Sequence, residues 1–152
     1  MLIEIPACTK QNNNDLLTIV AMKNDWDVVQ IEDHLLAAIE WVDYDINTAS
    51  IRKFISQADV LVTSRYHAMI SGLSLGIPLV VIGWGHKYKE TLAYFGLERY
   101  SFDFGEGEAS LAESITEIIK KHKDITDQIR KNQPKVQALA KIQFDYLERV
   151  LS

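Results

Sequence analysis

The chain has 152 residues, 47% of them hydrophobic, enough for one folded domain that buries roughly 70% of its unfolded surface without disulfide support. Its net charge of -5 argues against a general affinity for nucleic acid or anionic lipid. Cys8 is the single cysteine, which excludes an internal disulfide and a multi-cysteine metal site and suits a reducing compartment.

The start, MLIEIPACTKQ, puts an acid and a proline where a secretory signal needs a basic start and an apolar core. No apolar run approaches membrane-spanning length, so a cytoplasmic chain is expected. Residues 2–6 read as a strand, and the polar loop 9–14 leads to an asparagine or Asp15 cap for a helix over 16–23. A second strand covers 27–31, bounded by Asp25 and by Glu32 and Asp33. Residues 34–45 fit a short helix or, toward their end, a short strand. Asn47 or Thr48 then caps a helix through Ser56 whose core face is Ile51, Phe54 and Ile55.

The stretch 58–87, ADVLVTSRYHAMISGLSLGIPLVVIGWGHK, organises the rest. Residues 59–63 and 79–82 are apolar, β-branched runs that read as strands buried on both faces. The helix between them starts after Ser64 as N-cap, carries its period on Ala68, Met69, Gly72, Leu73 and Leu75, and stops at Gly76 before Pro78. This is a βαβ unit. Its first turn, holding Arg65, Tyr66 and His67, opens at the carboxyl edge of a parallel sheet, where ligands bind and the next helix offers unpaired N–H groups.

After Ile82 the turn Gly83-Trp84-Gly85-His86-Lys87 faces the same crevice, followed by a helix from about residue 88 to 95 that Gly96 ends. Residues 100–104 read as a further strand, and Ser110 with Glu113 as a capping box for a helix with Leu111, Ile115, Ile118 and Ile119 on its apolar face. A last helical segment over 125–151 is expected to break near Pro134. The alternation of strands and helices makes the chain a single α/β domain with a Rossmann-like parallel sheet flanked by helices.

The two turns look like an anion site. Arg65 offers a planar fork of donors for a carboxylate or phosphate, His67 adds a donor or a proton, and Lys87 brings a point charge from the second turn. Arg65 and His67 converge only if Arg65 is still extended, because residues two apart on a helix face nearly opposite ways. Taken singly, the lysine reads as a solvated side chain, and the arginine and histidine read equally well as structural groups. Trp84 lines the pocket or packs, and Tyr66, Tyr88 and Tyr94 read as packing residues. The meeting of Arg65, His67 and Lys87 at one crevice turns the reading toward function. No dinucleotide or phosphate-loop glycine pattern, no H-E-x-x-H and no G-x-S-x-G is present, so neither a metal site nor a serine triad is expected. His34 beside Asp33 and His122 among lysines read as surface residues, and Glu106 with Glu108 as part of a solvated loop over residues 105–108.

At Ser64-Arg65-Tyr66-His67, Gly76-Ile77-Pro78, and Trp84 with Lys87 three residues on, the chain resembles the polysaccharide pyruvyl transferase family. The family more often has a tyrosine and an Asp-Pro pair where Trp84, Gly85 and His86 stand here. The resemblance covers roughly residues 59–97 and extends weakly to the whole chain. It implies two Rossmann-like domains in a glycosyltransferase-like fold with the active cleft between them. This chain would be the second, donor-binding domain, inactive without an amino-terminal partner. The implied reaction moves a pyruvyl group from phosphoenolpyruvate to a sugar of a cell-surface polysaccharide, free or lipid-linked, and forms a ketal with no further cofactor. In this reading His67 is the catalytic acid or a phosphate contact, and Arg65 and Lys87, with Ser64, Tyr66 and Trp84, hold the donor. The implied place is the cytoplasm, at the inner face of the membrane when the acceptor is there. A nucleotide-sugar-binding glycosyltransferase domain and a non-catalytic domain of the same fold are the rival readings.

Overall fold

The computed structural model describes residues 47–83, 85–103 and 108–151. The strands expected over 2–6 and 27–31, the helix over 16–23 and the segment 34–45 lie outside the described residues, as does Trp84. From Arg52 onward the described residues belong to one compact unit.

Helix α1 (Thr48–Ser56) is capped as expected, with Asn47 Oδ1 accepting the Ser50 N–H at 2.9 Å. It buries Ile55 fully, while Ile51 and Phe54 are half-buried. Then come β1 (Leu61–Thr63), α2 (Tyr66–Leu75), β2 (Leu79–Ile82) and α3 (His86–Ala93). A short 3₁₀ turn over Glu98–Tyr100 leads into β3 (Ser101–Phe102), which is followed by α4 (Glu108–Lys120) and α5 (His122–Leu151). The described strands form a parallel sheet in the order β1-β2-β3, with Leu61 opposite Leu79 and Val81 opposite Ser101. The domain is therefore mixed α/β with a parallel sheet flanked by helices.

Leu79, Val80 and Val81 point alternately to the two faces of the sheet, and all three are 0% exposed. Both faces are covered, and each such side chain contributes about 1.5–3 kcal/mol over leaving it in water. Helix α2 lies close on β1 and β2 because Gly72 has no side chain: a Cβ there would come within 2.9 Å of both Leu61 and Leu79. Gly76 ends α2 in the left-handed region at φ 76°, with its N–H donating to the Leu73 carbonyl and that of Ile77 to Gly72. Gly96 (φ 68°) ends the turn after α3 the same way, the Gly96 N–H donating to the Ala93 carbonyl and that of Leu97 to Leu92.

Several boundaries differ from the sequence reading. Arg65, not Ser64, is the residue at the N-cap of α2, and its side chain makes no cap hydrogen bond. Helix α3 starts at His86, two residues early, and the regular part of β3 is only two residues long. Helix α4 begins at Glu108, so Ser110 lies inside its first turn rather than capping it, and Ile119 is exposed. Pro134 does not break the last helix: α5 runs through it unbroken. The proline removes one backbone bond, but α5 is held to the rest of the domain on the preceding turns. Ile125 and Ile129 are buried, Gln128 donates to the carbonyls of Phe95 and Gly96 at 2.8 and 3.0 Å, and Gln133 donates to that of Leu73 at 2.6 Å. These amides tie α5 to a carbonyl in the last turn of α2 and to two in the turn after α3. Beyond Pro134 the same helix exposes Leu139, Ile142, Tyr146 and Val150.

Candidate functional site

The turns after β1 and β2 lie side by side at the carboxyl edge of the sheet, as adjacent parallel strands require. In the first turn, Thr63 is buried at the end of β1 and its Oγ1 accepts the Arg65 N–H at 3.0 Å. Arg65 is extended, with φ −103° and ψ 124°. This meets the condition on which the convergence of Arg65 with His67 depends, since only His67 is helical. Ser64, Arg65 and His67 are exposed, and Tyr66 is half-buried.

The start of α3, directly after the second turn, supplies Lys87, whose Nζ lies 4.9 Å from the centre of the Tyr66 ring and 5.5 Å from that of Tyr88. The two rings meet edge to face at 5.8 Å, and the Tyr66 ring meets His67 in the same manner at 6.1 Å. A cation resting on two aromatic faces gains about 0.5–1 kcal/mol at an exposed site and keeps its charge available to a ligand. The hydroxyls reach across. Tyr88 donates to the Ser64 carbonyl at 3.0 Å, and the Tyr66 hydroxyl pairs with Thr91 Oγ1 at 3.2 Å. Thr91 in turn donates to the Lys87 carbonyl at 2.7 Å.

Tyr66 and Lys87 are thus brought together, and Ser64 enters through its carbonyl rather than its hydroxyl. Thr63, Tyr88 and Thr91 are the participants that sequence reading passed over, Tyr88 as a packing residue and the other two without notice. One signal for Tyr88 was present: glycines at 83 and 85 mark a place where something large approaches the backbone. That something is the Tyr88 ring, which a Cβ on either glycine would meet at 3.0 and 3.2 Å. Among the described residues no three His, Cys, Asp or Glu side chains gather as metal ligands would. Among the same residues no helix is long and apolar enough to cross a membrane.

Residues 5–86, more than half of the chain, match the family model for polysaccharide pyruvyl transferase. The chain belongs to the polysaccharide pyruvyl transferase family. The matched span includes Ser64-Arg65-Tyr66-His67 and ends at the second turn, one residue before Lys87. No curated protein and no solved structure matches the chain. Membership places the chain in a transferase family whose acceptors are saccharides.

Proposed function

We propose that the two turns bind phosphoenolpyruvate and that this chain is the donor-binding domain of a polysaccharide pyruvyl transferase. The observation that carries the reading is the seating of Lys87, from the start of α3, over the Tyr66 ring. It places a cation beside the turn that bears Arg65 and His67, and the donor carries one carboxylate and one phosphate. Arg65 and Lys87 hold these anions, Arg65 through paired hydrogen bonds and Lys87 as a point charge. Ser64 and Tyr66 complete the donor site beside them.

In the transfer, His67 gives a proton to the methylene carbon of the enol, which becomes the methyl group. The adjacent carbon turns electrophilic and bonds to one sugar hydroxyl. The bond from that carbon to the phosphate oxygen then breaks, phosphate departs, and the second sugar hydroxyl closes the ketal. One hydroxyl proton replenishes the histidine and the other leaves with phosphate. A second Rossmann-like domain closes over the donor, excludes water and presents the saccharide or lipid-linked saccharide, so the present chain alone binds donor without turnover.

Calorimetry of the chain with phosphoenolpyruvate against a panel of nucleotide sugars tests the reading. Binding of phosphoenolpyruvate and not of nucleotide sugars is expected, and ligand at a hundred times its Kd should add about 2.7 kcal/mol of stability. Preference for a nucleotide sugar would make the chain a glycosyltransferase domain. Binding of neither would leave it a non-catalytic member of the fold.

A further inference from the structure

Tyr88 lies in the first turn of α3, directly after the second turn, yet its hydroxyl donates to the Ser64 carbonyl of the first, 24 residues earlier. Its ring fills the space left by Gly83 and Gly85 and lies 5.5 Å from Lys87 Nζ. The side chain is therefore wedged in one turn and bonded to the backbone of the other. Of the contacts that join the turns here, the Tyr66 hydroxyl reaches Thr91, and Lys87 reaches the Tyr66 ring. Those contacts are between side chains, whereas the Tyr88 bond fixes the main chain that leads into Arg65.

We infer that Tyr88 is a positioning residue that sets the separation of the two turns, and with it the spacing of the two anionic groups one ligand can present to them. The inference rests on the phosphoenolpyruvate reading above. A ligand that bridges both turns senses their separation, because each of its ends must reach its own partners at once. A single anion held at one turn does not.

The test is Tyr88→Phe, which keeps the ring and the contact with Lys87 and removes only the hydroxyl. Affinities for phosphoenolpyruvate and for inorganic phosphate are measured by calorimetry on both proteins, alongside their melting temperatures. The loss of one bond should weaken phosphoenolpyruvate about three- to tenfold and leave inorganic phosphate unchanged. An equal loss for both ligands would make Tyr88 a merely structural residue and overturn the inference, as would unchanged phosphoenolpyruvate affinity. Amide hydrogen exchange over residues 64–67 reads the link with no ligand present: faster exchange in the variant is expected, and unchanged exchange would overturn the inference whatever the chain binds. Faster exchange in the variant, together with wild-type protein that ignores phosphoenolpyruvate, would retain the link between the turns and remove the donor reading instead.

Discussion

In the turn after β1 a short side chain closes the backbone, Thr63 being 3% exposed and accepting the N–H of Arg65. In the turn after β2 the backbone is left bare by Gly83 and Gly85, and a ring from the following helix occupies the gap. The first turn presents charged chemistry on an extended residue and on the start of a helix. The second is followed at once by the start of α3, which supplies a tyrosine bonded to the first turn and a lysine laid over aromatic faces. Neighbouring turns of one sheet thus differ in how they are built, one closed by the last side chain of its own strand and the other filled by a ring from the helix that follows.

The sharpest way to break this comparison is His67→Gln, which retains a donor and much of the size. In the assembled enzyme, phosphate release should fall roughly a hundred- to ten-thousand-fold while donor affinity survives. Equal losses of binding and turnover would move His67 from acid to phosphate ligand. A smaller effect is expected from Thr63→Val, which preserves shape but leaves the Arg65 N–H without its acceptor. Urea unfolding should show a loss of about 1–2 kcal/mol; no change would mean that the first turn does not depend on that bond. Arg65→Lys keeps the charge and discards the fork, so calorimetry should give roughly tenfold weaker donor binding in a protein as stable as wild type. Retained affinity would reduce Arg65 to a simple point charge, like Lys87.

The smallest effect lies away from both turns. Glu117 receives Lys121 at 2.8 Å and Arg99 at 3.0 Å, and its carboxyl is held below the usual value of 4.5, first by the Lys121 hydrogen bond and then by the nearby Arg99 charge. A carboxyl depressed in the folded state adds stability above its unfolded pKa, and that stability is lost as pH falls through the folded value. Wild type should therefore exceed Glu117→Gln slightly at neutral pH, and the two should converge in acid, below about 4.5. Donor affinity should be the same in both. A change in that affinity would show that the turns are coupled to α4.

Much of the scaffold was legible in local pattern. The run Leu79–Ile82 is a strand over the residues expected, Gly76 terminates α2 in the left-handed conformation its lack of a side chain favours, and Asn47 caps α1. Ser64 was misread as the cap because the residue type fits, whereas the neighbouring Thr63 reaches the Arg65 N–H from the end of the strand. Ser110 misled in the same way, since a capping pattern remains in the sequence even when the helix begins two residues earlier.

The sequence by itself determined the strand and helix of the central βα unit, the charged and imidazole groups at its turn, and the family to which they point. All of these depend on the order of neighbouring residues, whose hydrophobic period and backbone preferences act over a few positions. Only the tertiary structure decided that Tyr88 reaches Ser64, that Lys87 rests on Tyr66, and that Gln128 and Gln133 hold α5 to the ends of α3 and α2. It also decided that α5 passes through Pro134. The partners of these side chains stand 21 to 60 residues away along the chain, and no local pattern specifies which carbonyl or ring the packed sheet will bring within reach.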